Sequence, residues 1–447
     1  MSFLFARCGG QEEPRIRIRE PVARILSSIS TGTVVSSVLP ASESNPSLTD
    51  DSPWAPLRVP LFRAFWFASI VSNLGTWVHE VGASWLMTNL DASPEMVSAV
   101  RIAISVPTIL LAIPAGVIAD RVDRRMLLIL TQLVLLITTS TLAAMTFNGM
   151  ITSWMLLGLT FVIGLGTVLH VLNWQSTIPE LVPKEQLSRA ISLGSISFNL
   201  ARAVGPAIGG VLIAFAGVWI AFAVNAVSFA GVLGVLFFWK RERKESSQGQ
   251  SLIAALSEGL RFVRDEPVMR NVLIAVAAFL LPATALWSLL PLVARQQLGW
   301  QADGFGMLVT MLGVGAVVAA RFLHWMHLRF GRDRTVTVAM MVFAVGMALI
   351  GLATNGWLAF LATFIMGGSW MMTLTTLNST AQMKLPNELR ARGMGCYITA
   401  VAISMATGAL LWGQVAGSLG LAATQWIAAG TLVGTSLARM RLSLEAT

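Results

Sequence analysis

Gly116-Val117-Ile118-Ala119-Asp120-Arg121-Val122-Asp123-Arg124-Arg125 is the stretch on which the reading of this 447-residue chain turns. Before it lies an apolar run, Met96 to Ala119, whose single charge is Arg101; after it comes another, Met126 to Phe147. A run of about 20 apolar residues rising about 1.5 Å each crosses the hydrocarbon of a bilayer. A backbone in hydrocarbon must satisfy its own polar groups, so each run is predicted to be a helix. The two acids and three arginines between them make a short charged turn at the membrane surface.

Composition points the same way. Hydrophobic residues make up 55% of the chain and charged residues 12%, with a mean hydropathy of +0.71. That is too little charge to clothe a soluble globule of this length, so a multi-pass membrane protein is expected. The net charge of +9 is spread between apolar stretches rather than gathered on one domain, which argues against nucleic acid as a partner. Cys8 and Cys396 lie far apart, so neither a disulfide framework nor a metal site is implied.

Residues 1–56 are Ser/Thr/Pro-rich with Arg15, Arg17 and Arg19, and read as a disordered cytoplasmic tail. From Leu61 onward, hydrophobic segments fall near 61–89, 95–119, 126–147, 151–175, 190–215, 218–239, 270–294, 304–327, 335–354, 357–380, 393–417 and 420–438. Residues 57–239 then form a first group of six spans, 240–267 a charged cytoplasmic linker, 268–440 a second group of six and 441–447 a cytoplasmic tail. Lys and Arg collect on one face of this arrangement, from Arg58 and Arg63 to Arg439 and Arg441, while the opposite face has only Arg295. Because basic residues in short loops stay inside, both termini are expected to be cytoplasmic.

The two groups repeat one another. Ser176-Thr177, Pro183, Glu185 and Arg189 recur 203 residues later as Ser379-Thr380, Pro386, Glu388 and Arg392. The same register pairs Gly205 with Gly408, Gly210 with Gly413, and Gly217 with Gly420. Duplicated bundles rocking about a midplane site are a physical route to alternating access. The second copy of the charged turn, Arg329-Phe330-Gly331-Arg332-Asp333-Arg334, has Leu328 where the first has Asp120.

The decapeptide resembles the G-x-x-x-D-R-x-x-R-R loop of the major facilitator superfamily. The resemblance implies an all-α integral membrane fold of twelve transmembrane helices in two pseudo-symmetric six-helix bundles. It also implies a gating loop built from Gly116, Asp120, Arg121, Arg124 and Arg125. The stretch Ala201 to Gly210, with Gly205, Pro206, Gly209 and Gly210, is similar to the G-x-x-x-G-P-x-x-G-G signature of superfamily antiporters, with Ala201 at the first glycine. Asn73-Leu74-Gly75-Thr76-Trp77, Ser84-Trp85-Leu86 and Pro179-Glu180-Leu181-Val182-Pro183 resemble the branch of the enterobactin exporter and related transmembrane secretion effectors. That branch implies export of a bulky organic molecule such as a siderophore, drug or secondary metabolite across a bacterial inner membrane. Proton antiport is the implied energy source, with no bound cofactor and a monomeric protein whose partners are the bilayer and a small organic substrate. A lipid or lysolipid flippase, or an importer of the same fold, is the second reading, and a non-transporting membrane receptor or scaffold the third.

Charges inside the spans are few. Glu80 is the only acidic residue buried in a hydrophobic segment, every other one falling in a loop, the tail or a helix end, and it is the candidate for proton coupling, with Arg101 and Arg202 as the other candidate members of the site. Counting from the outer ends puts Glu80 and Arg101 at similar depth. A purely structural ion pair is the competing reading. In superfamily architecture the cavity lies between the first, fourth, seventh and tenth spans, which offer Asn73, Trp77, His170, Asn173, Trp174, Trp287, Trp370 and Asn378 as lining candidates. No HExxH, paired carboxylate or nucleotide loop is present, so no catalytic or metal-binding residue is expected and an enzyme is disfavoured.

Overall fold

The computed structural model describes residues 52–111, 123–239, 261–386, 390–440 and 442–444. The sequence motif Gly116, Asp120 and Arg121, most of the 240–267 linker and nearly all of the N-terminal stretch 1–56 lie outside the described residues. The long elements are helices: α1 (Pro60–Leu90), α2 (Pro94–Leu111), α3 (Arg124–Phe147), α4 (Ser153–Leu181), α5 (Leu187–Ala216), α6 (Trp219–Phe238), α7 (Pro267–Leu292), α8 (Ala302–Leu352), α9 (Gly356–Lys384), α10 (Arg390–Leu419) and α11 (Leu421–Arg439). Their starts follow local chemistry: the Asp123, Thr152 and Asn355 side chains accept from Met126, Met155 and Leu358 N–H and cap α3, α4 and α9.

Among the described residues, nine helices are long and apolar enough to cross a bilayer. α1 and α11 are not among the nine, and several of their polar residues are turned inward. His79 in α1, and Thr424, Gln425, Ser436 and Arg439 in α11, are all buried. α8 has 51 residues and bends at Gly331, whose φ of 74° suits a residue without Cβ. At about 1.5 Å per residue it is more than twice as long as hydrocarbon is thick.

Backbone and packing carry the sequence repeat into three dimensions. Gly217 and Gly420, 203 residues apart, end α5 and precede α11 with nearly the same conformation, φ 88° and ψ 169° against φ 81° and ψ 168°. Gly205 packs on Trp77 of α1, and its counterpart Gly408 packs on Leu281 and Thr284 of α7. Trp66 Nε1 of α1 donates to Leu193 O of α5, while Trp412 Nε1 of α10 donates to Leu281 O of α7.

Among the described residues, the close glycine approaches between the halves run from the end away from the basic face to the level of Arg202. Furthest from that face α5 meets α8 so tightly that a Cβ on Gly210 would lie 2.8 Å from Ala302 O, and one on Gly306 2.7 Å from Pro206 O. α10 meets α2 in the same way, with Gly413 against Ser98 and Gly417 against Glu95. Small residues permit this approach, as in other membrane helix pairs. Toward the basic face the contact is lost: from 191 to 200 in α5 only Leu193 and Ser197 are buried, and Val317, Arg321 and His324 of α8 are exposed. The chain is therefore shut at one end and splayed at the other.

Candidate functional site

The shut end is clasped by Arg295, whose guanidinium donates to Thr88 O and Asn89 Oδ1 at the end of α1. Gln296 Nε2 adds a bond to Ala92 O. Arg295 is presented by a π-helical turn, Val293–Gln297, that continues α7. Such turns are uncommon and often mark functional positions.

Beneath this clasp Glu80, Arg101 and Arg202 lie near one another. Arg101 Nη1 stands 3.8 Å from Glu80 Oε2, with the side chains 13% and 28% exposed. The Arg101 guanidinium also lies 5.6 Å over the Trp287 ring of α7, and that of Arg202 lies 5.9 Å over the Trp77 ring of α1. Trp77, Glu80, Ser84 and Arg101 from the first half, with Trp287 and Phe305 from the second, enclose a cavity of about 20 Å³. That is room for roughly one water molecule. A wider apolar groove of about 390 Å³ runs between α2 and α4, lined by residues such as Ile102, Val106 and Phe161, with no charged side chain in its wall.

Arg202 owes its position to the helix that carries it. Pro206 has no N–H, so the Arg202 carbonyl four residues earlier loses its helical donor. Gly313 of α8 comes close there, where a Cβ would be 3.2 Å from Arg202 O and 2.7 Å from Ala203 Cα. Gly205 and Gly209 face α1, at Trp77 and Val78, while Gly210 faces α8. The glycine-proline stretch thus holds α5 against both an element of its own half and one of the other half.

Trp287 links the charges to an aromatic cluster. Its ring lies 5.6 Å from Trp370 of α9, which lies 5.4 Å from Phe279 and 6.1 Å from Phe343. The remaining cavity candidates stand apart from the small cavity. Asn73 Nδ2 donates to Ser197 Oγ at 3.2 Å, and His170 Nδ1 is 3.0 Å from Gln132 Nε2. Trp174 packs on Phe65, Asn378 Oδ1 accepts from Gln382, and Asn173, fully buried, donates to Arg124 O. His79, the other histidine near Glu80 in sequence, turns away to Phe222 of α6.

Two arginines of the charged turn are described. Arg124 pairs with Glu180 of α4 at 2.8 Å, and Arg125 donates to Leu236 O and Phe237 O at the end of α6. Sequence reading did not single out Phe305, because an aromatic residue in an apolar run carries no signal of what it faces. Nor did it find the packing of the C-terminal segment, where a tail from 441 is expected. Leu444 is buried and its N–H donates to Asp333. Arg295 had one available signal: it is the lone basic residue of its face.

A helical membrane protein with charged and aromatic side chains gathered between its spans has the make-up of a transporter of the major facilitator type. A model of the transmembrane secretion effector family matches residues 51–447, and the chain belongs to that family. It is 26% identical over 389 residues to the MFS-type transporter YfiS of Bacillus subtilis, covering 82% of this chain and 90% of that one. It is 23% identical over 377 residues to the multidrug efflux pump Tap of Mycolicibacterium fortuitum, covering 80% and 90%. A crystal structure of the nucleoside transporter NupG superposes with a TM-score of 0.67 at 13% identity over 85% of this chain and 99% of that one. It is a transporter, not an enzyme.

Proposed function

We propose that the protein exports a bulky organic molecule across a bacterial inner membrane by alternating access, in exchange for protons. The observation that carries this reading is the cluster of Glu80, Arg101 and Arg202 at the interface of halves that are shut at one end and splayed at the other. Counting α8 as two passes about Gly331 gives twelve spans, arranged as two six-helix bundles. With the basic face and both termini in the cytoplasm, the splayed end opens inward, ready to load a substrate from the cell. Efflux is supported by the relative named as a multidrug pump and by the glycine-proline stretch of α5.

Glu80 is the proton site. Its pair with Arg101 is long and partly exposed, so a proton or a substrate group can take the place of one partner at small cost. The monomer is the working unit, the proton gradient is the energy source and no bound cofactor is required. Inside-out vesicles, with a pH-sensitive dye reporting the imposed gradient, test this. A panel of siderophores, macrolides and dyes should include a compound that collapses the gradient in wild-type vesicles and not in Glu80→Gln vesicles. Accumulation of such a compound with no proton movement would overturn the coupling.

A further inference from the structure

We infer that the substrate is an organic anion: a flat apolar or aromatic body bearing an acidic group that binds between Arg202 and Trp287. The inference rests on the transport reading above and names the class of molecule that its site takes.

Charge balance carries the argument. At the cavity and beside the Trp77 ring of its wall stand two guanidiniums, Arg101 and Arg202, and one carboxylate, Glu80. The carboxylate lies nearest to Arg101. Arg202, half-buried, makes no hydrogen bond or ion pair among the described residues, and its closest partner is the face of Trp77. One carboxylate shared between two guanidiniums leaves a positive charge that an anionic group of a ligand can offset. The Trp287 indole N–H, in the wall of the cavity that Trp77 also lines, is buried and also lacks an acceptor. Donors therefore outnumber acceptors, and the site carries one positive charge in excess. A monoanion restores neutrality, and its oxygens accept from the guanidinium and the indole in charge-assisted bonds that a neutral molecule cannot match. The rings of Trp77, Trp287 and Phe305 line the cavity, and once the halves part to widen it they supply flat walls for an apolar body. A cation would add to the excess and meet two arginines.

Binding to the purified full-length protein in detergent, measured by calorimetry, tests this without reference to transport direction or proton coupling. Three probes share one ring system and differ in fixed charge: naphthalene-1-sulfonate, naphthalene-1-sulfonamide and 1-naphthylmethyltrimethylammonium. The sulfonate should bind at least about tenfold more tightly than either of the others. Arg202→Gln should erase that preference and Arg202→Lys should keep part of it. Trp287→Phe, which keeps the ring and removes the N–H, should weaken only the sulfonate, by several-fold, and it serves where Arg202→Gln fails to fold. Equal binding of the three probes, tightest binding of the ammonium, binding of none, or an unchanged preference in folded Arg202→Gln or in Trp287→Phe would overturn the inference. A sulfonate preference alongside proton-independent efflux would instead retain it and sink the coupling reading.

Discussion

Arg439 stands 203 residues after Leu236, and the two positions join equivalent helices in the two halves. In the first half, Arg125 at the start of α3 donates to Leu236 O and Phe237 O, the open carbonyls at the end of α6. In the second, the arginine sits on the other partner. Arg439, at the end of α11, donates to Asp333 O at 2.7 Å and Thr337 Oγ1 at 2.8 Å, and pairs with Asp333 Oδ1 at 3.3 Å. The repeat has kept the tie while exchanging donor and acceptor. The second tie is also the larger one, since Leu444 N donates to Asp333 and Asn271 Nδ2 donates to Ser443 O.

Arg439→Ala removes a side chain that is 1% exposed and leaves Asp333 without its cation. Hydrogen bonds to charged groups contribute about 1.5–3 kcal/mol each, so a loss of at least ~2 kcal/mol is expected. Unfolding in mixed detergent should register it as a lower midpoint. Arg439→Lys should recover only part, because one ammonium cannot span both Asp333 and Thr337 as the fork does.

Glu80→Gln should insert, fold and purify like the parent. The Glu80–Arg101 separation of 3.8 Å and the partial exposure of both side chains mark a pair of modest strength, with a cost of about 1 kcal/mol or less on breaking it. Gradient-driven accumulation should be lost while downhill exchange persists. If the pair is instead a structural necessity, Glu80→Gln will express poorly and Glu80→Gln with Arg101→Met will restore expression. Membrane yield and counterflow measured on the single and double variants separate the two.

Much of this was legible in the chain. Gly217 and Gly420 could be paired from sequence because a positive φ restricts the residue type, so a repeat of backbone shape leaves a repeat of glycines. The similar depth of Glu80 and Arg101 followed from counting residues at a fixed helical rise. The contents of the cavity wall were less accessible. Asn173 and Phe305 both sit in apolar runs, and nothing local distinguishes the one that donates to Arg124 O from the one that lines the cavity. The Arg439–Asp333 tie joins residues 106 apart at helix ends, where sequence periodicity says least.

Gly306→Val should push α5 and α8 apart at the shut end. A Cβ on Gly306 has Pro206 O at 2.7 Å and Gly210 Cα at 2.9 Å, and both are backbone. Overpacking of this kind costs about 1–3 kcal/mol, which moves a two-state equilibrium toward the other state by roughly 5- to 150-fold. Gly430→Ala, where a Cβ meets nothing within 4 Å, is the control. Trypsin sensitivity of the splayed end should fall in Gly306→Val and stay at the parental level in Gly430→Ala.

Arg295→Gln should loosen the clasp without touching the charge cluster. The lost bonds to Thr88 O and Asn89 Oδ1 are together worth about 1–3 kcal/mol. A cysteine introduced by Ser84→Cys, in the cavity wall just beneath the clasp, reports the change. In Arg295→Gln it should react roughly tenfold faster with a membrane-impermeant thiol reagent applied outside, and at the parental rate if the clasp plays no part in closure.

The central claim is that the two ends of the interface open in turn. Spin labels on Ala92→Cys with Gln301→Cys report the shut end, and Ser192→Cys with His324→Cys the splayed end, in a background carrying Cys8→Ser and Cys396→Ser. Electron–electron resonance distances, taken in lipid nanodiscs as the pH is lowered through the carboxylate range, should change in opposite directions: the first pair lengthens as the second shortens, with matching populations. Two pairs that lengthen together, or that hold one distance under every condition that supports transport, would contradict alternating access about this site.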